Sequence, residues 1–560
     1  MKIYDLRIYD MKKLVCFIFL LAGTAAVQAQ KYAPGPQVLS FHSLVDGTDQ
    51  PYGLYLPPDF DENKAYPLVV MLHGAGSNHR LALRRVFGRS NAGNENDVDA
   101  SLYFPAWEDV QYIVATPLAR GTMGYQGVAE KDVWDMIADV KRRFKTDENR
   151  TYLTGLSMGG GGTLWIGLTR PDFWAAIAPV CPAPPEGTEL YLPNAAHLPA
   201  RFFQGDADPV VPTASVNKWV EGFKATGTHV EYDVYPGVRH DSWVNAYANG
   251  QIFKWFDRYK RDPDPKKVVF ATGQMKYNRS FWVEIVAMSP GKTARIEAEI
   301  KSPTLVNMTL ENVEAFRLLP TRHLKTGAKV TLMLNGKKLV LENFKETGII
   351  QDVPDVEKGS RAPDFTKTPR QAGPMTEITS DRHIYVYGTL DSPDREETDR
   401  RRKMAEAAAD WSYYRGEFLG RVMVFPRVLA DRELTPNDYD NSNLVLFGTD
   451  KTNAAIARYA PKLPFQLSAD TSQLLAFIYP TEKNLVLINT GMPYWQLADA
   501  VKGEPHVRIL RNPSRAALLS GYGDWVYYRN GKVISGWFGN RWEVRPEDRP
   551  ALKEAGVLKQ

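Results

Sequence analysis

The sequence predicts an α/β protein: a mainly parallel sheet with helices on both faces, then a small β-sandwich, then a second α/β domain. Three observations carry this reading. First, runs that are apolar throughout, such as PLVVMLHG and YIVATP, alternate with amphipathic stretches such as KDVWDMIADVKRRF. Strands with no polar face belong to a sheet covered on both sides. Second, Pro263 and Pro265 end that alternation, and residues 267–345 change to a period of two. Third, the last part of the chain returns to apolar strands that each stop at a small residue. At 560 residues the chain is also too long for one ordinary core.

The N-terminus comes first in the element order. From Met11 it reads MKKLVCFIFLLAGTAAVQAQ: two lysines, an apolar stretch, then small residues ending Val27-Gln28-Ala29. That order is what a secretory signal peptide requires, so residues 1–29 are read as one, with Met11 as the start and cleavage after Ala29. A secreted or periplasmic protein is expected. Cys16 leaves with this segment and only Cys181 remains, which permits no internal disulfide. Cys181 ends the run AAIAPVC and reads as a buried small hydrophobe. No other stretch approaches the ~20 apolar residues that span a bilayer. The net charge of +4 forms no basic run, which argues against a nucleic-acid or polybasic membrane surface.

Residues 38–262 form the first domain. VLSFHSL and YGLYLP read as an opening hairpin, and PLVVMLHG, YIVATP, RTYLTG, AAIAPV, ARFFQG and VEYDVYP as further strands. KDVWDMIADVKRRF, SVNKWVEGFKA and QIFKWFDRYKR read as helices between or after them. Residues 265–345 read as a small antiparallel sandwich of six or seven strands. Residues 346–376, rich in Pro, Gly and charge, read as a linker or covering loop. Residues 377–545 hold HIYVYGT, NLVLFGT and NLVLINTG, strands of a second α/β domain. No GxGxxG follows any of them, so nucleotide binding is not indicated.

The chemistry centres on GLSMGGGG, residues 155–162. A phosphate loop needs GxxxxGK[ST], and Gly161 stands where its lysine must be. A nucleophile elbow needs Gly-x-Ser-x-Gly between a strand and a helix, and Gly155-Leu156-Ser157-Met158-Gly159 has that form. A serine hydroxyl needs a base, and the base an orienting carboxylate. In the elbow arrangement these follow in the order Ser, Asp or Glu, His, on loops after later strands. ARFFQG leads into Asp206-Ala-Asp208, and VEYDVYP leads to His240. Asp208 is preferred to Asp206 because the loop needs a few residues to carry a carboxylate across. His197 and His229 each precede a strand and miss the slot. The oxyanion calls for two backbone donors: Met158 N–H, next to the nucleophile, and Ala75 N–H in His73-Gly-Ala-Gly76. His73 reads as a structural residue of that loop.

HGAG, GLSMGG, GDADPVVP and His240 together resemble the α/β-hydrolase superfamily. Within it they resemble the secreted esterases grouped with feruloyl esterases, acetylxylan esterases and polyhydroxybutyrate depolymerases. The resemblance covers residues 38–260 and implies Ser157 as nucleophile, Asp208 as orienting acid, His240 as base, and Ala75 and Met158 as oxyanion donors. Many members carry Gly or Cys where Ala75 stands, which leaves the backbone donor intact. The implied function is a secreted serine esterase removing acetyl, feruloyl or methyl ester groups from polysaccharides. A prolyl-oligopeptidase-like peptidase is the alternative, although such relatives place a β-propeller before the hydrolase domain. A glycan-binding protein with an inactive hydrolase domain is a third reading. Trp243 either lines a sugar or aromatic acyl pocket or caps the last helix from the core. No metal motif and no cofactor is indicated, and the oligomeric state stays open.

Overall fold

The computed structural model describes residues 32–345, 349–351, 367–413, 423–502 and 515–559. The expected signal peptide lies outside the described residues, as does most of the expected linker. Among the described residues no helix is long and apolar enough to cross a membrane.

The first sheet has eight strands: β1 (Gly35–Ser43), β2 (Thr48–Leu56), β3 (Tyr66–Leu72), β4 (Ile113–Pro117), β5 (Thr146–Leu156), β6 (Ala176–Val180), β7 (Ala200–Gly205) and β8 (Val230–Tyr235). Their spatial order is β1-β2-β4-β3-β5-β6-β7-β8. Only β2 runs against the rest. Every residue of β3, β4 and β6 is buried, as strands covered on both faces must be. The covering helices are α1 (His79–Val86), α2 (Val128–Arg143), α3 (Met158–Thr169), α4 (Thr213–Ala225) and α5 (Gln251–Phe256). Helix α1 was not anticipated: HRLALRRV is short and carries three arginines, so its apolar face shows only once Leu81, Leu83 and Val86 are seen buried. The fold is that of the α/β-hydrolases.

The second unit stacks two sheets. One holds β10 (Arg279–Ser280), β11 (Val283–Met288), β14 (Val313–Leu318) and β17 (Ile349–Gln351). The other holds β16 (Lys337–Leu341), β15 (Val330–Leu334), β13 (Leu305–Glu311), β12 (Ala294–Ser302) and β9 (Lys267–Thr272). A wholly antiparallel sandwich was expected, but β13 and β15 pair in parallel. The chain leaves β13 to build β14 in the opposite sheet and returns beside β13, so the connection is a crossover between sheets.

The third unit is a seven-stranded mixed sheet, ordered β19 (Arg427–Ala430), β18 (His383–Tyr387), β20 (Asn443–Phe447), β22 (Leu485–Gly491), β21 (Gln473–Pro480), β23 (Trp525–Arg529), β24 (Lys532–Gly536). The three anticipated strands β18, β20 and β22 lie side by side in parallel, β19 extends them in parallel, and β21, β23 and β24 pair antiparallel. Its core reaches past residue 545, since Leu552 and Val557 join it and Phe465 bridges Leu558.

The three units are bonded to one another. Buried Glu130 of α2 accepts hydrogen bonds from Tyr277 Oη at 2.5 Å and Lys276 Nζ at 3.3 Å, and Lys276 also meets Glu377 at 3.7 Å. Asn540 donates to Met288 O and to Glu314. Arg120, fully buried between Asp46 and Asp132 at 2.6 Å each, donates to Met423 O at 3.2 Å. A buried guanidinium is tolerable here because two carboxylates and Ser43 Oγ satisfy it.

Candidate active site

The site forms where β5 turns into α3. Ser157 sits on that turn with φ 54° and ψ −116°, a conformation that costs a non-glycine residue roughly 1–3 kcal/mol. Neighbouring backbone holds it there. Ser157 N donates to Val180 O at 2.9 Å, while Gly161 N and Ala183 N donate to Ser157 O at 2.9 and 3.1 Å. The flanking glycines answer a space requirement. A Cβ on Gly155 would lie 2.3 Å from Gly159 O, and one on Gly159 would lie 2.1 Å from Leu72 O. Further along, Cβ atoms on Gly160, Gly161 and Gly162 would meet Val180 O, Ala183 O and the Tyr125 ring at 2.4 Å or less. The glycine run therefore lets α3 start against the ends of β3 and β6.

The structure brings three of the anticipated side chains together. His240 Nε2 lies 2.8 Å from Ser157 Oγ, and its Nδ1 lies 2.8 Å from Asp208 Oδ2. The Asp208 side chain is 0% exposed and the His240 side chain 22%, so the base faces the opening and the acid does not. Asp208 Oδ1 accepts Val210 N and Val211 N at 2.8 and 2.9 Å, which fixes the carboxylate before it meets the ring. Asp206 points elsewhere: it accepts Gly237 N at 2.6 Å and ties the ends of β7 and β8 together. His229 pairs with Glu231, and His197 accepts Val269 N from the sandwich. Neither reaches Ser157.

Buried Cys181 lies beneath His240, its Sγ 3.5 Å from His240 O, and burial pushes the thiol up to about 12. It therefore stays protonated and donates to that carbonyl. Cys181, Asp208 and His240 offer ligand atoms within 4.8 Å of one another. Asp208 and His240 hydrogen-bond each other, and the Cys181 thiol donates to the His240 carbonyl.

The loop after β3 supplies the other wall. His73 is wholly buried, and its ring spans Gly74 O and Leu118 O at 2.8 Å each. Burial lowers its pKa and the two carbonyls act against that shift, and the ring bridges two loops as a structural residue. Ala75 is exposed at the tip of this loop, and its N–H carries no hydrogen bond among the described residues. Next to it Gly76 N donates to Thr122 Oγ1 at 2.9 Å. Met158 is buried and opens α3.

Trp243 is half-buried at the start of a short helix, Trp243–Ala246. Its ring meets His240 edge-on, centroids 5.5 Å apart, and the Arg85 guanidinium lies 5.5 Å from its centroid. Arg85 in turn reaches Ser77 Oγ at 3.0 Å and Asp97 at 3.3 Å. Sequence reasoning missed both Arg85 and Thr122. Neither stands in a motif, and each reaches the site through contacts distant along the chain.

The first unit is similar to known esterases. Residues 47–186 match the family model described as putative esterase. This esterase segment contains Ala75, Ser157 and Met158 and ends before Asp208 and His240. A curated relative, an endo-1,4-beta-xylanase/feruloyl esterase of Xylanibacter ruminicola, is 26% identical over 221 residues, 37% of this chain and 29% of that protein. The chain thus spans under a third of the relative's length. Among solved structures, a thermostable esterase shows 25% identity over 40% of this chain and 63% of its own, with a TM-score of 0.33. A ferulic acid esterase of Anaeromyces mucronatus shows 19% identity over 40% and 91%, with a TM-score of 0.30.

Proposed function

We propose that the chain is a secreted serine esterase that removes acetyl, feruloyl or methyl ester substituents from polysaccharides. The observation that carries this reading is the continuous relay from Ser157 through His240 to Asp208, with 2.8 Å at each step. His240 takes the Ser157 proton as Oγ attacks the ester carbonyl, and Asp208 holds the ring in the right tautomer and stabilises the imidazolium. The tetrahedral oxygen is received by the N–H groups of Ala75 and Met158. Collapse expels the alcohol, which takes the proton from His240 and leaves an acyl group on Ser157. Water then repeats the sequence and frees the acid. No cofactor is needed in these steps. Trp243, set against His240 and partly open, is suited to line the acyl or sugar pocket.

The esterase match and the feruloyl esterase relative favour an ester over an amide substrate. The polysaccharide substrate and export rest on the sequence resemblance and on the N-terminal pattern. The test is turnover of methyl ferulate and of a chromogenic acetate by the full chain and by Ser157→Ala. The variant should lose at least ~10³ of the rate. Full activity in Ser157→Ala, or no acyl adduct on Ser157 by mass spectrometry, would remove the mechanism.

A further inference from the structure

A cavity of about 340 Å³ lies where the three units meet. Its volume falls within the ~300–1,000 Å³ typical of small-ligand sites. Its hydrolase wall is formed by the loops that leave the carboxyl ends of β4 and β6, through Gln126 and Glu186, and by Trp165 of α3. Those loops are anchored at the candidate active site: Gly76 N bonds Thr122, and Ala183 N bonds Ser157 O. Trp165 stands eight residues along α3 from Ser157, roughly 12 Å at the helical rise. The sandwich contributes Gln274 and Thr293, and the third unit contributes Thr379, Ser380 and Trp537.

We propose that this cavity binds the neutral sugar backbone of the substrate, a short unesterified run beside the ester that Ser157 attacks. The inference rests on the esterase reading and adds a subsite to it. Charge selects the ligand class. The lining holds Lys276 and Lys292 against Glu186 and Glu377, and Lys276 already pairs with Glu377 at 3.7 Å. With the signs balanced, a carboxylated or phosphorylated ligand gains nothing over a neutral one. The other polar side chains are hydroxyls and amides, and Trp537 is half-buried with its ring held against Gly291. A sugar ring has an apolar C–H face and a rim of hydroxyls, and it matches a flat aromatic flanked by such groups. The walls are also fixed in place by the Glu130–Tyr277, Glu130–Lys276 and Asn540–Met288 hydrogen bonds, so the site is formed before a ligand arrives.

The test is calorimetric titration of the full-length Ser157→Ala protein with xylotetraose, cellotetraose and trigalacturonate. At least one neutral oligosaccharide should bind, and trigalacturonate should bind at least tenfold more weakly. Gly273 gives a plug: a Cβ there would meet only Leu190 at 3.6 Å and Tyr191 at 3.9 Å, so a side chain fits and grows beside the cavity. Gly273→Trp should weaken the neutral sugar at least tenfold. Hydrogen exchange on the chain without the plug needs no folding control, and the sugar should protect residues 186–191, 273–277 and 374–380. No binding of any neutral sugar, equal or tighter binding of trigalacturonate, or protection confined to other segments would overturn the proposal. Turnover of methyl ferulate or of a chromogenic acetate by the unmodified chain reports separately. Its absence alongside sugar binding sinks the esterase reading, and its presence without sugar binding sinks the subsite.

Discussion

Replacing Gly159 by alanine tests whether close approach at the elbow sets the chemistry. The new Cβ would lie 2.1 Å from Leu72 O, 2.6 Å from Leu72 C and 2.7 Å from His73 O, all backbone at the end of β3. No rotamer relieves a Cβ, so α3 and β3 must separate by more than ~1 Å to reach ordinary contact. Overpacking of this kind costs about 1–3 kcal/mol. In a domain of this size that lowers the melting temperature by a few degrees to ~12 °C. The kinetic effect is larger, because β3 leads to Ala75 and α3 begins at Met158, so the two oxyanion donors move apart. A misplacement of ~1 Å can cost ~10² in rate. Gly159→Ala should therefore keep its fold by circular dichroism and lose about 100-fold in kcat on methyl ferulate. Gly167→Ala is the control on the same helix, since its Cβ would meet side chains alone, the Ile177 methyl groups at 3.3 Å and Leu198 Cδ1 at 3.9 Å. That variant should keep turnover close to the parent. A folded Gly159→Ala with undiminished kcat would refute the argument.

Three other outcomes are expected. Asp208→Asn places an amide where Oδ2 faces His240 Nδ1 and Gln204 Nε2, so donors oppose one another and the wrong tautomer is favoured; kcat should fall by up to ~10⁴ while Ser157→Ala and the double variant show no further additive loss. Thr122→Val removes the acceptor of Gly76 N and should lower kcat with little change in KM, and Thr122→Ser should restore it; equal rates for Val and Ser would count against a role for this hydrogen bond. Burial pulls His79 and His197 from 6.5 down to about 4. Between those values the unfolded chain binds protons that the folded chain does not, so the melting temperature should fall as pH drops from 6.5 towards 4. His197→Gln, which keeps an acceptor for Val269 N without titrating, should show a shallower decline.

Much of the first unit was legible because its signals are local. Strands such as PLVVMLHG declare themselves when every residue is buried, and the glycines around Ser157 answer clashes within one turn and its nearest neighbours. Asp208 and His240 could be placed by chain order because the fold delivers both loops to the carboxyl edge of the sheet. The preference for Asp208 over Asp206 anticipated a loop path, and the geometry supplies the reason: Val210 N and Val211 N capture Asp208 while Gly237 N captures Asp206. The parallel pairing of β13 with β15 was not legible, because a period of two tells which face a residue occupies and nothing about its partner.

The sequence by itself determined the strand and helix alternation, the strained serine turn, and the order in which acid and base follow it. These depend on residue type over a few positions, where sterics and periodicity act directly. Only the tertiary structure decided that Arg85 lies against Trp243, that Thr122 holds the Gly76 amide, and that Glu130 of α2 gathers Lys276 and Tyr277 from the second unit. Such contacts join side chains far apart in the chain, and buried polar groups find their partners only when whole elements have packed.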